Sequence, residues 1–138
     1  MNIKKSPQYD LYTFTKFIHH NKEKLVPSTC ENRCLYGTII NRCYYSSYLY
    51  ALFWLEDQCK FRLKEPFEFD DDEEFITGHR QVRLALKEKG LAVLSSELLS
   101  LLNLRKKADY DPLIDISVDE VSDAIDGMEL IFSKLVFK

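Results

Sequence analysis

Glycine and proline are scarce, with 4 of each in 138 residues. So few turn formers exclude an all-β sandwich, which needs frequent breaks between strands. No run of about 18 apolar residues occurs, so no membrane span is expected. The opening Met1-Asn2-Ile3-Lys4-Lys5 is polar and lacks an apolar signal core, which points to a cytoplasmic protein. Cys30, Cys34, Cys43 and Cys59 contain no Cys-x-x-Cys pair. Cys30 and Cys34 stand one helical turn apart, but no His or further Cys follows at zinc-site spacing. The four are read as reduced core thiols, and neither a metal nor a cofactor is expected. The net charge of −3 provides no global basic field, so any contact with RNA has to be a local patch. No repeat or linker divides the chain, and residues 1–138 read as a single domain.

Apolar residues make up 46% of the chain, enough for a core. The stretch Asn41 to Leu55 has neither Gly nor Pro and one charge, Arg42. It is too long for an ordinary strand and suits a helix covered on most sides. Ser46, Ser47 and Ala51 let neighbouring helices approach, and the Tyr, Phe and Trp rings supply area. An all-α, up-and-down bundle of about five helices follows, built around this long second helix. The first helix is expected from about Ser6, an N-cap before Pro7, to Lys24, burying Leu11, Phe14, Thr15 and Ile18 with Phe17 beside them. The second runs from about Glu31 to Phe61, with Ile40, Tyr44, Ser47, Ala51 and Trp54 on one face. The third runs from about Glu74 to Lys89 and ends at Gly90. The fourth spans about Ala92 to Ala108, with Asp111-Pro112 as its stop. The fifth begins at the capping box Ser117-Val118-Asp119-Glu120. A second subunit is expected to cover what the small bundle cannot, making a homodimer.

The block Asp70-Asp71-Asp72-Glu73-Glu74 lies on the loop before the third helix. Contiguous acids usually stay solvated, and no Gly turn is present to fold them round an ion. Arg105 and Asp109 are four apart and share a helical face, where their pairing can be purely structural and can orient Tyr110. His79, at the start of the third helix, titrates in the range that suits proton transfer and is placed to reach Arg105 or Tyr44. Its plainer role is a structural hydrogen bond at a helix start. Arg42 is a lone charge in an apolar stretch and needs a partner, for which Asp109 is the candidate. Tyr44, Tyr45, Tyr48 and Tyr50 either stack a base or pack the core. Arg80, Arg83, Lys87, Lys89, Arg105, Lys106 and Lys107 form a phosphate-binding surface if they gather on one side.

The segments Arg42 to Ala51 and Leu101 to Asp111 (Leu-Leu-Asn-Leu-Arg-Lys-Lys-Ala-Asp-Tyr-Asp), with His79-Arg80 leading a helix that ends at Gly90 between them, resemble the HEPN family over roughly residues 35 to 137. That resemblance implies a helical domain of a prokaryotic toxin–antitoxin or defence-type system. Such a domain binds RNA or a nucleotide, as a metal-independent ribonuclease toxin or as partner of a minimal nucleotidyltransferase-type antitoxin. It implies His79, Arg105 and Tyr110 as catalytic residues, and Arg42, Tyr44, Tyr45, Arg80, Arg83 and Asp109 as the residues that hold RNA or nucleotide. The ribonuclease motif of the family, an Arg, four to six arbitrary residues, then a His, follows none of the arginines here. Tyr110 occupies the first eligible position after Arg105, and tyrosine, with an ordinary pKa of about 10, is a poor base at neutral pH. The alternative, of a different class, is a non-catalytic dimerisation or adaptor module docking through the apolar faces of the second and fifth helices.

Overall fold

Ser6 accepts a hydrogen bond from the Tyr9 amide at 3.2 Å and Pro7 follows it, so helix α1 (Pro7–His20) starts where its cap dictates. The computed structural model describes residues 6–26, 31–111 and 113–138. After α1 come a single helical turn α2 (Lys22–Leu25), the long α3 (Asn32–Cys59), a 3₁₀ turn at Pro66–Glu68, then α4 (Gly78–Glu88), α5 (Ala92–Tyr110) and α6 (Val118–Lys134). The described residues contain no strand, and none of their helices is long and apolar enough to cross a membrane. The fold is an all-α bundle, as expected. Central α3 packs against α1, α4, α5 and α6, and α4 packs against α5.

The expected first helix divides at Asn21, whose side-chain amide donates to the Phe17 carbonyl at 2.9 Å and ends α1. Its buried face also differs from the expected one. Phe14 and Phe17 are 57% and 56% exposed and lie against each other at 6.3 Å. Thr15 is buried as expected, while Tyr9 and Tyr12 turn inward in place of the two phenylalanines, because the ring of Phe132 on α6 stacks on Tyr12 at 4.2 Å.

Helix α3 buries Ile39, Ile40, Cys43, Tyr44, Ser46, Ser47, Tyr50, Ala51 and Leu55. Its small residues work as spacers: Ser46 Oγ lies 3.2 Å from Met128 Sδ of α6. Trp54, expected on the buried face, is half-buried, and its indole N–H donates to the Val136 carbonyl at 3.0 Å. Helices of the same chain bury Ile39, Tyr44, Tyr50 and Leu55 of this helix. Cys43 is buried and its thiol pushed up by that burial, while Cys34 is exposed, contrary to a core role; Cys30 lies outside the described residues.

Helix α6 starts at the expected capping box: Glu120 N donates to Ser117 Oγ at 3.1 Å and Ser117 N to Glu120 Oε1 at 3.1 Å. Gly90, at φ 79°, closes α4 with Leu91 N bonding Leu86 O at 2.9 Å and Gly90 N bonding Lys87 O at 3.1 Å. The Pro112 stop expected after α5 lies outside the described residues.

Candidate functional site

Helix α4 begins four residues later than expected, and this late start fixes His79. Thr77 Oγ1 accepts from Arg80 N at 3.3 Å and caps the helix. The Gln81 amide then ties down the preceding loop, accepting from Lys64 N at 2.8 Å and donating to Lys64 O at 3.0 Å and Ile76 O at 2.9 Å. His79, second residue of α4, is thereby held over α3. Its Nδ1 shares a short hydrogen bond with Tyr44 Oη, and its ring lies 4.6 Å from that of Tyr48. Gly78 allows this approach, since a Cβ there would come within 3.1 Å of Tyr48 Oη.

The electrostatics at this point are one-sided. His79 holds its proton less readily than an ordinary histidine, first because it is partly buried and then because Arg105, Arg83 and Lys106 are near. Burial pushes the Tyr44 phenol up, so it stays protonated at neutral pH. An unfolded chain takes up a proton at His79 near the ordinary value of about 6.5, whereas the folded protein takes it up only at lower pH. Its contribution to stability is therefore present above about pH 6.5 and is lost as pH falls through the lowered folded value. His19, whose proton is disfavoured by burial and then by Lys22, acts in the same direction. Urea melts should show a lower midpoint at about pH 5.5 than at about pH 7.5, and His79→Gln should shrink the difference.

The second half of the site comes from α5. Arg105 Nε donates to Asp109 Oδ2 at 3.0 Å, and its Nη2 lies 3.4 Å from Tyr110 Oη. The guanidinium covers the Tyr45 ring at 5.1 Å and the Tyr110 ring at 5.6 Å. Asp109 is therefore not the partner of Arg42: the same Oδ2 accepts from Asn41 Nδ2 at 3.1 Å. Arg42 is exposed and forms no ion pair among the described residues. It edges a recess of about 300 Å³ that it shares with Thr38, Asn41 and Asp109.

Arg33 holds the far end of α5 in place. It donates to the carbonyl oxygens of Lys107 (3.4 Å), Ala108 (3.2 Å), Asp111 (2.7 Å) and Ile114 (2.8 Å). A cation over the last turn satisfies orphan carbonyls and complements the helix dipole. Arg33→Ala should destabilise the fold by about 1–2 kcal/mol, read as a lower melting temperature, since two of these charge-assisted bonds are partly buried and the other two are exposed.

The candidate residues thus separate into two groups. His79, Tyr44, Tyr45, Arg83, Arg105, Asp109 and Tyr110 meet where α3, α4 and α5 adjoin. Arg80 points away, 3.8 Å from Glu74, and Lys107 turns to Glu120 with contacts of 2.8 and 3.0 Å. The seven cations therefore do not form one continuous surface; Arg83, Arg105 and Lys106 are those that act on His79. The acids 70–74 are exposed, and Glu73 pairs with Lys64 at 2.6 Å. Among the described residues no three His, Cys, Asp or Glu are grouped to hold a metal. Sequence reasoning missed Arg33 and Asn41, whose partners are distant in sequence. Tyr48 was visible only as one of several tyrosines. Comparison with known proteins finds no matching family, no matching curated protein and no matching solved structure.

Proposed function

We propose that this chain is a HEPN-like protein of a toxin–antitoxin or defence-type system whose bundle binds phosphate groups of RNA or a nucleotide beside His79. One observation carries the reading. Three cations, Arg83, Arg105 and Lys106, act on a neutral imidazole, and no carboxylate acts on it in return. Arg83 and Lys106 form no ion pair among the described residues. Such a surplus of positive charge beside hydrogen-bonding groups is complementary to phosphate. The rings of Tyr45 and Tyr110 flank the same guanidinium and offer faces on which a base can stack. The family assignment rests on the motifs at 42–51 and 101–111, and the packing of α3 against α5 supports it.

A minimal nucleotidyltransferase encoded beside this chain is the partner the reading implies. Growth arrest on expression, relieved by that neighbouring gene, is its cellular signature. The adaptor alternative is weakened by burial: Val121, Ile125, Met128, Phe132 and Leu135, the face of α6 it would use, are already covered within the chain. The test is the affinity of a short RNA at low salt, measured by fluorescence anisotropy for the wild type and for Arg83→Glu/Lys87→Glu. Reversing these charges should weaken binding at least tenfold and flatten its salt dependence. Unchanged affinity would remove the reading.

A further inference from the structure

Tyr44 faces the core and is 2% exposed. Its hydroxyl has one partner among the described residues, Nδ1 of His79. A buried phenol that keeps its hydrogen has to place it on an acceptor, or bear the full desolvation cost of an unpaired donor. Among the described residues the acceptor it meets is the lone pair of Nδ1. A hydrogen on Nδ1 would occupy that lone pair and strand the Tyr44 hydrogen in the core. The groups around the ring agree with this assignment. They are Tyr44 and Tyr48 from α3, Arg83 from α4, and Arg105 and Lys106 from α5. None is a carboxylate that could hold a hydrogen on Nδ1.

Among the described residues, Ser47 Oγ is the one fully buried side-chain polar atom without a partner. Among the described residues Nε2 has no hydrogen-bond partner, and it is not among the fully buried atoms, so it meets solvent.

We propose that the Tyr44 hydroxyl donates to Nδ1 and fixes His79 as the tautomer protonated on Nε2, so that the ring offers bound phosphate a hydrogen-bond donor instead of a base. Tyr44 is then a positioning residue, and the idea rests on the phosphate-binding reading above only for what meets Nε2. A neutral Nε2–H points a donor at a phosphate oxygen, alongside the charges of Arg83 and Arg105. The same proton occupies the lone pair that would have to remove hydrogen from a ribose 2′-hydroxyl. The site is therefore built to hold RNA and not to cut it.

The tautomer is read from the ring ¹⁵N shifts of histidine-labelled full-length protein at neutral pH without RNA. The wild type should show a protonated Nε2 and a bare Nδ1. Tyr44→Phe keeps the ring and its packing, so the fold should persist while His79 becomes a mixture of both tautomers. RNA affinity of that variant should fall about twofold, because a ring that carries the Nε2 hydrogen about half of the time binds in proportion to that fraction. A wild-type ring protonated on Nδ1 would overturn the proposal even if the variant failed to fold. So would a Tyr44→Phe ring with unchanged shifts, or RNA cleavage in EDTA that His79→Ala abolishes. The expected tautomer without any RNA affinity would overturn the phosphate reading and leave the Tyr44 role intact.

Discussion

Replacing Tyr50 with alanine should lower the folding free energy by about 3–5 kcal/mol, the range for removing a large buried aromatic. The ring is buried, stacks on Phe132 at 4.0 Å and meets Phe137 at 5.6 Å. Its hydroxyl donates to the Leu135 carbonyl at 2.7 Å. Removing the side chain leaves a cavity between α3 and α6 and strands that carbonyl. The C-terminal segment beyond α6 should loosen with it, because Tyr50, Trp54 and Gln58 all anchor its backbone from α3. Tyr50→Phe removes only the hydrogen bond and should cost about 1–2 kcal/mol. Urea denaturation of the three proteins separates the two contributions. Equal losses for both variants would mean that the ring contributes little.

The largest functional effect is expected at Arg105. Arg105→Ala should weaken RNA binding by about tenfold to a hundredfold at low salt, the range for a charge-assisted contact to phosphate. The same change frees Tyr45 and Tyr110 from the guanidinium between them and leaves Asp109 with Asn41 alone. Arg105→Lys retains the charge but loses the planar fork that covers both rings, so it should recover only part of the affinity. Calorimetric titration against one RNA oligonucleotide measures all three. Neither wild type nor variants should cleave that RNA in EDTA, given a donor on Nε2 of His79.

How legible these features were depends on how local their causes are. The capping box at Ser117, the Ser6-Pro7 start and the Gly90 stop were visible because partners lie within a few residues. The long apolar stretch around residue 44 marked the central helix because no other placement hides it. The inward face of α1 was not legible. Phe14 is the more apolar of the two by type, yet Tyr12 turns inward because Phe132, 120 positions downstream of it, stacks on its ring. The late start of α4 depends on Gln81 gripping Lys64, 17 residues away. The Arg33 clamp reaches carbonyls 74 to 81 residues on, and Asn41 meets Asp109 across 68. Periodicity carries no information about such pairs. The pairing of Arg42 with Asp109 was plausible by charge, but Arg105 stands one turn from Asp109 on the same helix and takes it.

Phosphate binding beside His79 is tested most directly by following the His79 ring resonances while a short single-stranded RNA is added at low salt. The expected result is a saturable shift of Nε2 and a rise in the pKa of His79, because bound phosphate offsets the charges of Arg83, Arg105 and Lys106. Saturating RNA that leaves the His79 ring unmoved would contradict it.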